Sequence, residues 1–260
     1  GAAPRTARLL TPAMVAGAGV TSSGPDSHGV AQLGYPPAVF GNETELQWYV
    51  QAAAQGMRYV VALGSRRANN TTLYAVAVTA TMDGPDPLAL AKRRVRGALD
   101  AGWDALRKPH TAWWANFWSA SRVTVPDSAI LRQYYLVRYF HGAASRRGAP
   151  PMPLQGVWTA DAGSLPPWKG DYHNDLNTQM TYMGYQGAGH FNEGLSYFDF
   201  LWERRPRFQR FAKEFYGTGG LATPGVMTLA GEPLAGWVQY SLSPTMSASS
   251  AVVPCHGGCV

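Results

Sequence analysis

The spacing of apolar and polar positions changes character at Asp83-Gly-Pro-Asp-Pro. Before it, from about Ala31 to Met82, the stretches Glu45–Gln51, Met57–Leu63 and Thr72–Thr81 alternate or run apolar between Gly and Asn turns. That is the pattern of strands in a sheet, and it predicts part of a β-sandwich. Residues 1–30, rich in Gly, Ala, Ser and Pro, predict weak strands or loop. After the break the period is helical. Asp86 followed by Pro87 reads as an N-cap with proline in the first turn, opening a helix to about Lys108. Leu88, Ala91, Val95, Leu99, Trp103 and Leu106 would form its packed face and the basic residues its solvated one. His110–Ser121 predicts a second short helix and Arg122–Pro126 a strand-like segment. Asp127 should cap a third helix, Ser128 to about Ser145, packing through Ile130, Tyr134, Val137 and Phe140 or His141 and stopped by Pro150, Pro151 and Pro153. Two further helices are expected at about Leu176–Tyr185 and Glu193–Tyr216. The fold class is therefore α+β and multidomain: residues 1–83 a sandwich portion, 84–126 a helical linker, 127–248 helical, and 249–260 an irregular tail without period.

Composition narrows the function classes. Hydrophobic residues make up 46% of the chain and charged ones 15%, which excludes a disordered or solvating polypeptide. The net charge of +6 comes from short separated groups such as Arg66–Arg67, Lys92–Arg94 and Arg204–Arg205, so no continuous nucleic-acid stripe is expected. No run approaches the roughly 18 apolar residues that a membrane span needs. Gly1 is a poor start for a signal peptide, so none is expected within this chain, and a secreted or periplasmic parent is the expectation. Cys255 and Cys259 alone make neither a disulfide framework nor a zinc site, so no metal and no cofactor is expected.

The chemistry concentrates between Leu154 and Tyr185, a Gly-, Pro- and Trp-rich loop running into a helix. Long loops inside compact domains are commonly functional. Flat aromatic surface combined with short amide and carboxylate side chains suits a polyhydroxylated ligand, which needs stacking for affinity and directional hydrogen bonds for stereochemistry. Trp158, Trp168, His173 and Glu232, the last in a second Gly/Pro loop, are candidate substrate contacts. Each also has a structural reading: core packing for a Trp, exposed loop for Glu232 and a helix start for His190. The expected partner is an oligosaccharide or glycan.

The ordered string His110, Trp114, Phe117, Val123-Thr-Val-Pro-Asp, Arg138-Tyr139, Ser145-Arg146, Pro153-Leu-Gln-Gly-Val-Trp, Pro166-Pro-Trp and Asn174-Asp-Leu-Asn-Thr-Gln-Met-Thr-Tyr resembles glycoside hydrolase family 95, the α-L-fucosidases and their relatives. That resemblance implies an N-terminal β-sandwich, a linker and an (α/α)6 toroid of the six-hairpin glycosidase kind. This chain would cover only the first two or three hairpins. It also implies an inverting hydrolase in which two asparagines hold the attacking water, carried onto Asn177 and, with Asp in place of Asn, onto Asp175. Gln179 and Tyr182 continue the motif as substrate-side residues. The acid and the polarising Asp would lie beyond Val260, so the chain alone is expected to be inactive. Two roles stay open for Asp175: a conventional general base, or the N-cap of the following helix. The family's His-His-Asn segment is replaced by Tyr216-Gly-Thr-Gly-Gly, which leaves α-fucoside and α-galactoside-like substrates both open. A non-catalytic carbohydrate-binding protein is the alternative reading.

Overall fold

The structure, a computed structural model, describes residues 7–9, 35–53, 56–154, 156, 170–234 and 241–242. Described residues up to Trp113 form one compact unit and those from Trp114 onward another.

The first unit is a four-stranded antiparallel meander in the order β1 (Val39–Glu43), β2 (Leu46–Ala52), β3 (Arg58–Ala68), β4 (Thr71–Ala80). Its register pairs Leu46 with Gly64 and Gly64 with Ala75. Period-two alternation puts Leu46, Trp48, Val50, Val60, Ala62, Leu73, Ala75 and Ala77 on one face. The first part of α1 (Pro87–Ser119) covers that face with Ala91, Val95 and Leu99. Each fully buried Val or Leu there contributes about 1.5–3 kcal/mol. Gly64 permits the contact, because a Cβ at this position would stand 2.5 Å from Val95 Cγ1. Asp86 caps the helix as the sequence implies, accepting from Ala89 N at 2.9 Å. Glu43 pairs with Lys92 and Arg96, and Arg66 with Glu45 and Asp100. These pairs are solvent-exposed and fix orientation more than stability.

The helix departs from expectation beyond Leu99. The break falls at Gly102 (φ 76°, ψ 170°), a conformation only glycine adopts cheaply, and the second segment then runs through Pro109 to Ser119. The break redirects the apolar stripe, so Trp103 and Leu106 are exposed at 64% and 43% instead of packed. Arg122–Pro126 is not a strand, and the expected helix Glu193–Tyr216 is divided at Arg204 into α4 (Phe191–Glu203) and α5 (Arg205–Tyr216). Pro206 explains that division. Proline is favoured in a first helical turn and disfavours helical geometry just before it.

In the second unit, Asp127 caps α2 (Ser128–Ala144) by accepting from Ala129 N and Ile130 N. The packed face of α2 keeps Tyr134 and His141 of the expected set but not the others. Ile130, Val137 and Phe140 are exposed, while Arg138, His141 and Gly142 are buried. A buried hydrogen-bonded arginine and a glycine, against whose Cα the Phe117 ring lies, outweigh the plain apolar count. The core of the unit is aromatic: Tyr172, Tyr182, Tyr185, Tyr197, Phe200 and Phe208 with Met227. It is contributed by α3 (Asn177–Gly187), α4, α5 and a two-residue ladder of β5 (Tyr172–His173) with β6 (Val226–Met227). Cys255 and Cys259 lie outside the described residues.

Candidate active site

The segment Asp171–Asn177 runs from a two-residue strand into the first residue of a helix. β5 pairs Tyr172 with Met227 and His173 with Val226. Tyr172 enters the core, its hydroxyl donating to Pro151 O at 2.9 Å and its ring 4.7 Å from Phe200. Two residues on, Asn174 is fully buried. Its Nδ2 donates to Pro224 O (2.9 Å), its Oδ1 accepts from the Tyr197 hydroxyl (3.2 Å), and its backbone N donates to Gly225 O (2.6 Å). Gln179 reaches back from α3 to donate to Asn174 O. Tyr172 and Asn174 thus fasten the loop to the core. Asp171, His173 and Asp175 come together around the His173 ring.

His173 sits between two carboxylates. Its Nε2 is 3.0 Å from Asp171 Oδ1 and its Nδ1 is 3.9 Å from Asp175 Oδ1. The Asp171 side chain is 3% exposed, that of His173 11% and that of Asp175 31%, so polarity opens outward along the row. Asp175 Oδ1 also accepts from Leu176 N at 3.0 Å. The N-cap of α3 is Leu176, without a side-chain cap bond, so Asp175 does not fill the capping role. Asn177 is exposed at the first position of α3.

The remaining sequence candidates are placed differently. Tyr182 is fully buried, its hydroxyl 2.9 Å from Ser145 Oγ and accepting from Met152 N, so it braces the core and offers no surface to a substrate. Gln179 is likewise turned inward. Glu232 is paired with Arg207 and Arg210 of α5. Trp158 and Trp168 lie outside the described residues. A cleft of about 110 Å³ belongs to the first unit, lined by Thr44, Arg66, Val95 and Asp100 among others. It falls well short of the roughly 300–1,000 Å³ of ordinary ligand sites.

Sequence reasoning passed over a buried polar cluster. Arg138 donates to Ser121 O (2.8 Å) and lies 2.7 Å from His190 Nε2, while the His190 ring stacks flat on Phe117 at 3.8 Å. Burial, helped by the neighbouring Arg138 and His141, depresses the His190 pKa to about 4. A neutral ring whose Nε2 accepts from the guanidinium follows. Burial alone depresses His141 to about 4. The available signal was Arg138 and His141 one turn apart along a predicted packing stripe. Asp171, nine-tenths buried with His173 as its side chain's polar contact among the described residues, also escaped notice. A lone Asp in a Gly-rich loop carries no burial signal.

Among the described residues no group of three His, Cys, Asp or Glu is arranged to hold a metal, and no helix is long and apolar enough to cross a membrane. The sequence is similar to "Probable alpha-fucosidase A" of Aspergillus oryzae, 25% identical over 197 residues, 66% of this chain and 27% of that protein. It is also similar to "Probable alpha-fucosidase A" of Aspergillus niger, 27% identical over 187 residues, 60% of this chain and 23% of that protein. The chain thus spans about a quarter of the length of the curated relatives it matches. Residues 103–251, more than half of the chain and including the whole Asp171–Asn177 segment, match the glycosyl hydrolase family 95 catalytic domain, and the chain belongs to that family.

Proposed function

We propose that the whole protein hydrolyses an α-linked glycoside, an α-L-fucoside or α-galactoside-like substrate, with inversion, and that this chain supplies the water side of its site. The observation that carries the reading is the family match across a loop that Tyr172 and Asn174 fasten to the core, with burial falling from the buried His173 through the partly exposed Asp175 to the exposed Asn177. Asn177 and Asp175 would hold the attacking water, Asp175 with a carboxylate able to take its proton. His173, with Trp168 and Trp158, would face the sugar. An inverting site needs an acid roughly 6.5–9.5 Å from the base, with the water between them. Relatives about three times longer leave room for that acid in the remainder of the domain.

The fold is consistent with this reading. Exposed Val76 and Val78 lie on the sheet face turned away from α1, where the Gln47 amide bonds Ala7 O and Leu9 N. That apolar face suits a second sheet of a sandwich over residues 1–83. Leu176, Met180 and Met183 form an exposed apolar row along α3, and Ile130, Val137 and Phe140 another on α2. Such rows suit further helices of an (α/α)6 toroid following the linker at 84–126.

The test is hydrolysis of aryl α-L-fucosides and α-galactosides, with the product anomer read by NMR. The 260-residue chain would be compared with a form extended to the relatives' length, and with its Asn177→Ala variant. The extended form is expected to turn over with inversion and the chain alone to lose nearly all activity, since general acid catalysis supplies about 10²–10⁴-fold. An unaffected Asn177→Ala variant would misplace the site. Asp175 in the position of the family's Asn favours a second reading, sugar binding without turnover. Saturable binding by an inert extended form would establish it.

A further inference from the structure

We propose that Asp171 is a positioning residue. It holds the His173 imidazole in the Nε2–H tautomer and keeps its Nδ1 edge turned toward Asp175.

Three observations carry this. First, Asp171 is a carboxylate buried to 3% side-chain exposure, and neither oxygen receives a hydrogen bond of good alignment among the described residues. A carboxylate in that position is costly unless a donor serves it. Second, the polar group that approaches it is His173 Nε2, at 3.0 Å from Oδ1, a length at which a small ring rotation completes an N–H···O bond. Third, the approach is imposed by the backbone. Asp171 O accepts from Leu154 N at 3.0 Å, and β5 registers His173 opposite Val226, so both partners are anchored and lie two residues apart. The nitrogen that carries the proton on a neutral imidazole is set by the partner of its other nitrogen. With Nε2–H committed to the buried carboxylate, the unprotonated Nδ1 faces Asp175 Oδ1 at 3.9 Å, and as both accept, a water can donate to the two or a sugar hydroxyl to either one. The functional weight of this arrangement rests on the glycosidase reading of the loop; the tautomer itself does not.

The experiment is long-range ¹H–¹⁵N correlation of the histidine rings in the full 260-residue chain, at a pH where His173 is neutral, assigned with His173→Gln. The expected result is Nε2 protonated and Nδ1 unprotonated. In Asp171→Asn, which keeps the shape and removes the charge, the preference for Nε2–H should be lost and Nδ1–H signal should appear. A backbone amide spectrum shows whether that variant is folded. A wild-type ring in the Nδ1–H form overturns the proposal whether or not the variant folds. A folded Asp171→Asn chain that keeps pure Nε2–H overturns it too, because a carboxylate that only fills space would leave the tautomer unmoved. Failure of the hydrolytic reading would show as an inert extended protein whose ring signals stay as expected, so the two failures are distinguishable.

Discussion

Replacing Asn174 with alanine tests the claim that this buried side chain holds the candidate site. The side chain is fully buried and joins three segments: it donates to Pro224 O, accepts from the Tyr197 hydroxyl, and belongs to the residue whose carbonyl Gln179 binds. Truncation leaves the Pro224 carbonyl and the Tyr197 hydroxyl without these partners, both on residues under 2% exposed. Each buried hydrogen bond broken in this way costs about 1–3 kcal/mol, so the expected loss is about 4 kcal/mol. Against a typical total of about 5–15 kcal/mol this is a large fraction. At roughly 2–4 °C per kcal/mol it lowers Tm by about 8–16 °C. Asn177→Ala, three residues on but exposed, should stay within about 0.5 kcal/mol of wild type. Asn174→Asp keeps the shape but sets a carboxylate oxygen against the Pro224 carbonyl, and should destabilise at least as much as alanine. The assay is urea unfolding followed by far-UV circular dichroism, with thermal melts of the same variants. An Asn174→Ala chain within about 1 kcal/mol of wild type, or an Asn177→Ala chain equally destabilised, would refute the reasoning.

Three further expectations can be checked alongside it. His141 and His190 have folded pKa values near 4, below the ordinary 6.5, so the unfolded chain takes up protons that the folded one refuses. Stability is therefore fully present above about pH 6.5 and declines as pH falls toward 4, by up to about 1.4 kcal/mol per pH unit for each ring; His141→Phe should reduce that slope in pH-dependent melts. Gly194→Ala, although a better helix former, would put a Cβ 2.5 Å from the Tyr185 ring and should cost about 1–3 kcal/mol net in urea unfolding. Glu232→Gln removes exposed ion pairs to Arg207 and Arg210 and should change stability by less than about 1 kcal/mol; a larger loss would mean that this loop is held mainly by those charges.

Local rules determined the elements of this protein, and spatial neighbours determined their faces. The change from period two to period 3.6 at Asp83-Gly-Pro-Asp-Pro, the caps at Asp86 and Asp127, and the strands around Trp48, Val60 and Val76 follow from side-chain spacing and turn chemistry, which are encoded within a few residues. The family was legible for the same reason, since ordered short motifs are local. What α2 buries was legible only in part: Arg138 is inside because Ser121 O, His190 and Phe117 meet it there, and those partners are distant in sequence. The break of α1 at Gly102 in place of Pro109 reflects packing of Val95 and Leu99 on the sheet up to that point and not beyond. In the loop, the sequence pointed to Asp175 and Asn177. Only the tertiary structure separated them from Asn174, Gln179 and Tyr182, which look equally polar in a string of letters. The two-residue ladder with Val226–Met227 and the hydrogen bonds of Asn174 to Pro224, Gly225 and Tyr197 bury the segment as far as Asn174, and exposure begins only at Asp175.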